Sequence, residues 1–340
     1  MSVVRYGGPF LIALSIPVFW YLVAPAASIL SVLMLLLLLI GAEAVSRRGA
    51  VPTAPPEPRV FRFLPILYVP LQLALIVWGV AMVGHADVWS FIALALSIGV
   101  TTGVFGVLAA HELVHGHNRI EHAFGLAMLS GMTYRHFRVA HIFGHHRWAA
   151  TENDAATARL GEGFYAFLIR TVTFQFVDAW RFEQRRTRDM GPLHNRVTLD
   201  VVAMAVIYAA LFVFAGWRGA LFFACQSAAG IIVLELFNYI AHYGLTRRTI
   251  GGRREPFSDR HSWNSSNVMA NLLIFNMGRH SFHHTRPAAS YQTLRHVEAA
   301  PELPAGYAGS ILLALAPPLW RAIMDPAVQR LHNLPDEAAV

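Results

Sequence analysis

The chain has 340 residues, of which 55% are hydrophobic and 14% are charged, and a mean hydropathy of +0.45 excludes an ordinary soluble domain. The formal net charge is +7 and lysine is absent, so arginine supplies the whole positive charge. A basic chain can bind nucleic acid, an anionic membrane surface or an acidic protein, and the position of these arginines beside apolar runs favours the membrane.

Six apolar segments approach the length of about 20 residues that crosses a bilayer, and we predict that each is a membrane helix. The predicted segments run over about 9–25, 28–45, 62–84, 88–110, 198–216 and 219–241. Consecutive segments are joined in pairs by very short turns, which predicts three helical hairpins. The expected fold is therefore all-α and integral to the membrane, with residues 1–340 forming a single domain.

The distribution of arginine predicts the orientation of these helices. The longer polar stretches 46–61, 111–196 and 242–340 are rich in arginine, whereas the short turns carry almost none apart from Arg218. The excess of positive charge on cytoplasmic loops then places both termini and all the long polar stretches in the cytoplasm, at a bacterial inner membrane. Residues 164–182 and 307–324 are amphipathic and are expected to lie along the membrane surface, and the proline-rich stretch 46–61 should be an irregular connector.

Histidine is abundant, with 17 copies, and more than half of them are clustered. The first cluster places His111 and His115 four residues apart at the end of the fourth segment, so both should share one helix face. In the second cluster, His141 and His145 should share a face in the same way. His146 should point away from them, towards a second metal.

The remaining clustered histidines follow the sixth segment. His242 ends that segment, and in the last cluster His280 should share a helix face with both His283 and His284. Neutral imidazole is a good ligand for iron, zinc, copper or nickel, and a tetrahedral zinc ion takes only four ligands. Nine clustered histidines therefore predict two metal ions with four or five ligands each, and the residues leave iron and zinc open.

The first cluster also matches the zinc-metalloprotease pattern, in which two histidines flank a glutamate that acts as general base. His111, Glu112 and His115 would fill those roles. A protease would leave the other seven clustered histidines without a function, so this remains the lesser alternative. A single cysteine, Cys225, excludes an internal disulfide and an iron–sulfur centre, so a redox enzyme of this sequence needs an external electron source.

The four histidine clusters, the string 238–245 and the stretches 261–265 and 291–294 resemble the integral-membrane alkane monooxygenase and xylene monooxygenase family. That family lies in the wider desaturase–hydroxylase group, and the resemblance covers roughly 110–295. It implies that the nine histidines bind two irons and that dioxygen is the co-substrate. It also implies that a C–H bond of an alkane, an alkyl side chain or a similar apolar molecule is hydroxylated.

The resemblance also implies a rubredoxin or a ferredoxin-type electron carrier with its reductase, docking on the cytoplasmic face. A membrane lipid or fatty-acyl desaturase or hydroxylase is the alternative within the same group. The chain departs from the family at Ala140 and Ala241, where relatives often carry glutamate. Straight-chain alkanes are therefore only one of the apolar substrates that we expect.

Several polar residues are candidates to support the metals, because histidine ligands leave positive charge on iron and nearby carboxylates should compensate it. The candidates are Glu112, Asp154, Glu235, Asn238 and His261. Glu235 lies seven residues before His242 within an apolar helix, where a carboxylate is costly and tends to be functional. The alternatives are a solvated loop acid for Asp154 and a structural hydrogen bond for Glu235. Phe105, Phe237 and Phe275 are candidates to line the substrate cavity.

Overall fold

The computed structural model describes residues 3–46, 60–116 and 118–333, and these are mostly helical. Most of the predicted connector 46–61, with Arg47, Arg48 and Arg59, lies outside the described residues, as does His117. The helices are α1 (Gly8–Leu22), α2 (Leu30–Val45), α3 (Val60–Met82), α4 (Val88–Thr101), α5 (Val107–Val114), α6 (Arg119–Ser130), α7 (Phe137–Val139), α8 (His146–Trp148), α9 (Phe164–Arg186), α10 (Arg196–His242), α11 (Val268–Leu273), α12 (His280–Thr285), α13 (Gly306–Ala314) and α14 (Pro317–His332).

Shorter elements connect these helices. Strands β1 (Thr249–Ile250) and β2 (Arg253–Arg254) pair antiparallel. There are also two π-helical segments: Thr102–Gly106 leads into α5, which carries His111, and Ala140–His145 contains His141 and His145. Single 3₁₀ turns occur at Val3–Tyr6, Pro25–Ile29, Pro192–His194, Asp259–His261 and Tyr291–Thr293.

Four helical stretches of the described residues are long and apolar enough to cross a membrane, which agrees with an integral membrane protein. They are Pro25–Val45, Val60–Met82, Val88–Val114 and Arg196–His242. The first predicted segment, 9–25, corresponds to α1, which has 15 residues and is shorter than a typical span. The predicted segments 198–216 and 219–241 correspond to the two limbs of α10, which lie on either side of the non-helical residue Gly216.

The two limbs of α10 meet at Gly216, whose φ of 66° and ψ of −175° are not helical. The rings of Tyr208 and Phe223 lie on opposite limbs, with their centroids 5.3 Å apart. Fifteen residues of straight helix would separate them by about 22 Å, so the chain turns back on itself at Gly216. Glycine suits this turn because a positive φ strains other residues.

Glycines on α4 and in the π segment after it allow a close approach to α10. A Cβ atom on Gly99 would lie 2.6 Å from the carbonyl oxygen of Gln226, and one on Gly103 would lie 2.5 Å from that of Gly230. Small residues at such positions let membrane helices pack backbone to backbone. This packing holds the helical stretch that carries His111 against the helix that ends at His242.

The π segment Thr102–Gly106 is stabilised by a buried side chain of α3. Gln72 Nε2 donates to Thr102 Oγ1 over 2.8 Å and approaches the carbonyl oxygen of Ile98 at 3.3 Å. The carbonyl oxygen of Ile98 also accepts the backbone N–H and the hydroxyl of Thr102. Gln72 therefore adds a buried polar contact at the residue where the wide turn begins.

Both predicted amphipathic stretches are helical, but the second forms two helices instead of one. On α9, Tyr165 and Ile169 are exposed while Phe167 and Thr171 are buried, so one face packs on the bundle and the other is left uncovered. The second stretch, 307–324, divides into α13 and α14 because Pro317 begins a new helix. Proline lacks the backbone N–H that would continue the preceding helix, and it is well tolerated in a first turn.

Candidate metal centre

Nine clustered histidines come together in two adjoining groups. The five-histidine group consists of His111, His115, His141, His146 and His283. The four-histidine group consists of His145, His242, His280 and His284. Within each group the potential ligand nitrogens all lie within 4.8 Å of one another. The sequence prediction of four or five ligands for each of two metals agrees with this division.

The spacing of nitrogens in the five-histidine group fits a metal better than hydrogen bonds. His146 Nε2 lies 3.0 Å from that of His141, 3.1 Å from that of His115 and 3.1 Å from that of His283. A ring nitrogen carries either one proton or one lone pair, so it cannot form three such hydrogen bonds. Metal–nitrogen bonds of about 2.1 Å would place two ligand nitrogens at this separation when they subtend roughly a right angle at the metal.

The four-histidine group has the same character. His284 Nε2 lies 3.1 Å from Nε2 of His145 and 3.1 Å from Nε2 of His280. His242 Nε2 is buried and has no hydrogen-bond partner among the described residues, and the same holds for both ring nitrogens of His111. Buried polar atoms without partners are costly, and a bound metal would provide the missing partner in both groups.

The π-helical segment Ala140–His145 decides which histidines of the second cluster act together. We predicted that His141 and His145 share a face, and this is wrong: His141 and His146 belong to one group and His145 to the other. A π-helix has a wider turn than an α-helix, with i→i+5 hydrogen bonding. Residues five apart are therefore aligned, and His145 points to the second group.

The last cluster divides in a similar way on α12. His280 and His284 are four residues apart and lie in the four-histidine group, whereas His283 lies in the five-histidine group. The prediction that His280 shares a face with both is thus wrong for His283. Adjacent positions on an α-helix differ by about 100°, so His283 and His284 can reach different metals.

Asp154 fixes the orientation of His145. Its Oδ2 lies 2.8 Å from His145 Nδ1, and it accepts hydrogen bonds from Thr157 Oγ1 and from the backbone N–H of Ala156. Burial acts to raise the pKa of Asp154, but the contact with His145 and these hydrogen bonds hold that pKa below its usual value. An ionised Asp154 accepts the Nδ1 proton and leaves His145 Nε2 free for a metal. The alternative of a solvated loop acid is wrong, because Asp154 is buried.

His261 supports the site through its backbone. Its carbonyl oxygen lies 3.1 Å from His242 Nδ1, which directs His242 Nε2 towards the four-histidine group. The His261 ring lies apart from both groups: its Nδ1 accepts the backbone N–H of Ser258, and its Nε2 is 3.1 Å from Glu255 Oε1. The sequence therefore correctly indicated that His261 lies near the site, but the backbone carbonyl of His261 faces the site and its imidazole does not.

The two glutamates lie outside both groups. Glu112 accepts the backbone N–H of Tyr291 and lines a pocket together with Arg62 and Glu121. Glu235 is fully buried and accepts four hydrogen bonds. Its donors are Tyr134 Oη, Thr171 Oγ1, Gln175 Nε2 and Asn238 Nδ2. Glu235 thus ties α10 to α9, as the structural alternative for this residue proposed.

Two aromatic rings that we did not predict pack on the ligands. Phe137 stacks on His141, with centroids 4.8 Å apart and planes inclined by 20°. Phe257 stacks on His284, also at 4.8 Å, with planes inclined by 27°. Phe137 precedes His141 by four residues, so helical spacing could have indicated it. The position of Phe257, far from His284 in sequence, carried no such signal.

A mostly apolar cavity adjoins both groups. Its lining residues are Gly103, Val107, Leu108, His111, Phe137, His141, Leu234, Phe237, Asn238, Ala241, Met277, His280 and Tyr307. Of the three predicted aromatics, Phe237 lines it. Phe105 packs against Tyr68 instead, and Phe275 stacks on Tyr6. An apolar molecule in this cavity would touch ligands of both groups.

Known proteins resemble this chain over most of its length. The family model described as fatty acid desaturase matches residues 87–311. Alkane 1-monooxygenase 2 of Pseudomonas aeruginosa is 40% identical over 280 residues, which cover 80% of this chain and 74% of the relative. Alkane 1-monooxygenase 1 of the same species is 37% identical, covering 79% and 72%. The xylene/toluene monooxygenase hydroxylase component XylM of Pseudomonas putida is 29% identical, covering 67% and 62%.

Proposed function

Since the chain belongs to the fatty acid desaturase family, in the group of the alkane 1-monooxygenases, we propose that it is a membrane-bound, non-haem diiron monooxygenase. It hydroxylates a C–H bond of an apolar substrate such as an alkane or an alkyl side chain. The observation that carries this proposal is the meeting of two histidine groups at the wall of an apolar cavity. The relatives are named as monooxygenases, an activity that needs a redox-active metal, which favours iron over zinc in that site.

The overall reaction needs dioxygen, two electrons and two protons. One oxygen atom enters the C–H bond to give an alcohol, and the other leaves as water. Two bound irons would supply the redox chemistry that amino-acid side chains lack. The five- and four-histidine groups would hold one iron each. Their ligands come from α5, α10, α12 and the second histidine cluster, which are far apart in sequence, and we therefore propose that residues 1–340 form one domain.

The remaining residues orient the ligands and the substrate. Asp154 and the carbonyl of His261 hold the Nδ1 protons of His145 and His242, so both rings present Nε2 to the metal. Glu112 and Glu235 do not contact the metals in this proposal. Glu112 holds the backbone of Tyr291, and Glu235 stabilises the contact between α9 and α10. The cavity places an apolar substrate against His111, His141 and His280.

The substrate and the electrons reach the site from different sides in this proposal. Apolar molecules dissolve in the bilayer and enter the cavity between the membrane helices. Electrons come from a rubredoxin or a ferredoxin-type carrier with its reductase, and the arginine-rich cytoplasmic face attracts such acidic proteins. We place both termini and the metal centre in the cytoplasm at a bacterial inner membrane, with α1 and the two limbs of α10 completing six spans.

Two other functions fit less well. The description of the family model favours a fatty-acyl desaturase, but the relatives described above are named as monooxygenases. A zinc protease would need Glu112 beside the metal as general base. The Glu112 carboxylate instead accepts the backbone N–H of Tyr291, and the other seven clustered histidines would have no role.

Metal analysis and product analysis of the purified protein test the proposal together. We expect two irons per chain and oxygen-dependent formation of an alcohol from at least one member of a panel. The panel contains octane, xylene, limonene and a fatty-acyl substrate, with an added electron carrier and reductase. A double bond in place of the alcohol would favour the desaturase. One zinc without iron, and no oxygenated product, would contradict the proposal.

A further inference from the structure

Asn238 is a polar side chain on the wall of the apolar cavity. Among the described residues of that wall, the other polar side chain besides the three histidines is Tyr307, whose ring packs on Phe237 with centroids 5.5 Å apart. The neighbouring position on the same wall, Ala241, offers no polar group. Asn238 therefore places an amide beside ligands of both histidine groups, where a molecule in the cavity would meet it.

The orientation of this amide is fixed by Glu235. Asn238 Nδ2 donates to Glu235 Oε2 over 3.0 Å, and a carboxylate can only accept. Because the Glu235 carboxylate also receives three other donors, it cannot turn away without leaving buried groups unpaired. Asn238 Oδ1 must then point away from Glu235. Within the described residues, the hydrogen bond of the Asn238 side chain is the one from Nδ2 to Glu235, and Oδ1 receives no donor.

An acceptor in this place has opposite effects on a hydrocarbon and on an alcohol. A bound hydrocarbon removes water from Oδ1 without replacing its hydrogen bond, which costs binding free energy. An alcohol with its oxygen near the histidines can donate its hydroxyl proton to Oδ1 and avoid that cost. A leucine at position 238 would therefore bind a hydrocarbon better than asparagine does. The amide favours binding only of a ligand that carries a hydroxyl group.

We propose that Asn238 Oδ1 is a binding site for the hydroxyl group of an alcohol in the substrate cavity, and that Glu235 is its positioning residue. The proposal rests on the proposed function, in which a hydrocarbon enters this cavity and an alcohol is made there. Asn238 thereby sets how strongly the cavity prefers the alcohol to the parent hydrocarbon. It makes the alcohol product a competitor of the hydrocarbon substrate.

The test compares the binding of 1-octanol with that of octane. Dissociation constants are measured by equilibrium partition of the labelled compounds into the purified zinc-loaded full chain, so the readout does not depend on turnover. For Asn238→Leu, we expect 1-octanol to bind about tenfold more weakly, the effect of one lost hydrogen bond, while octane binds equally well or more tightly. In the iron-loaded enzyme, the inhibition constant of 1-octanol should rise by the same factor.

Two further variants identify the residues involved. Tyr307→Phe removes the hydroxyl of the other non-histidine polar side chain on the cavity wall and should leave the octanol-to-octane ratio unchanged. Glu235→Gln offers an amide donor in place of an acceptor, so Asn238 can turn round and present Nδ2 to the cavity. Because an alcohol oxygen can accept from this N–H group, 1-octanol should bind more tightly to Glu235→Gln than to Asn238→Leu, with octane as the reference. Asn238→Ala replaces Asn238→Leu, with the same ratio as criterion, if the leucine variant does not fold.

The outcomes separate this inference from the proposed function. If the wild-type enzyme forms an alcohol and the ratio stays within twofold in Asn238→Leu, the inference is wrong while the proposed function stands. A change in Tyr307→Phe without one in Asn238→Leu would also overturn it. If the wild-type enzyme forms no alcohol from any substrate of the panel, the proposed function itself fails.

Discussion

Asp154 Oδ2 lies 2.8 Å from Nδ1 of His145, and both side chains are only 4% exposed. The contact joins the loop after α8 to the second histidine cluster, nine residues earlier. It leaves His145 Nε2 directed at His284 within the four-histidine group. The π segment separates His145 from the group of His141, and the carboxylate of Asp154 then fixes the direction of the His145 ring.

Replacing this carboxylate should weaken metal binding at the four-histidine group. In Asp154→Asn the acceptor loses its charge, and the orientation of His145 is less well held, so we expect a loss of about 10- to 100-fold in metal affinity. Titration with a competing chelator measures the loss. Glu152→Gln is the matched control, because Glu152 is exposed and pairs with Arg254. Equal affinities in the two variants would contradict the role given to Asp154.

His283 and His284 are neighbours in sequence but belong to different histidine groups. We therefore expect that His283→Ala and His284→Ala each reduce the iron content from about two to about one per chain or lower. Both should abolish turnover while the protein stays in the membrane. His85→Ala, at an exposed position, should keep the wild-type content. Two irons retained in His283→Ala would remove His283 from the ligand set.

The close contact of Gly103 with α10 should be sensitive to one added methyl group. In Gly103→Ala the new Cβ would meet the backbone oxygen of Gly230 at 2.5 Å, and the resulting overpacking should lower the free energy of unfolding by about 1–3 kcal/mol. Gly41→Ala is the control, because a Cβ there meets nothing within 4 Å. That change should be neutral or stabilising by up to about 1 kcal/mol. Unfolding in detergent, with helicity as the signal, measures both, and equal stabilities would contradict the packing argument.

Glu235 should matter for stability more than for metal binding. Glu235→Ala leaves the buried donors of Tyr134, Thr171 and Gln175 without their acceptor, which should lower the free energy of unfolding by at least about 3 kcal/mol. Asp178→Ala, at a half-exposed acid of α9, should change stability by about 0.5 kcal/mol or less. The same unfolding assay compares them. A Glu235→Ala protein as stable as wild type would show that the four hydrogen bonds contribute little.

The sequence by itself determined the features that depend on local order. Apolar runs identified the helical and membrane character, and the four-residue spacing of His111 and His115 correctly placed them in one group. The number of clustered histidines indicated two metals, because no single ion takes nine ligands. These features are readable because composition and helical periodicity act over a few residues.

Only the tertiary structure decided how the histidines are divided and what the supporting residues do. Spacing predicts a shared face only if the helix type is known, and the π segment Ala140–His145 changed that type. The roles of Asp154, His261 and Glu235 depend on which atoms face each other across distant parts of the chain. Helix packing sets those contacts, and the identity of a residue alone does not tell whether it acts through its ring, its carboxylate or its backbone carbonyl.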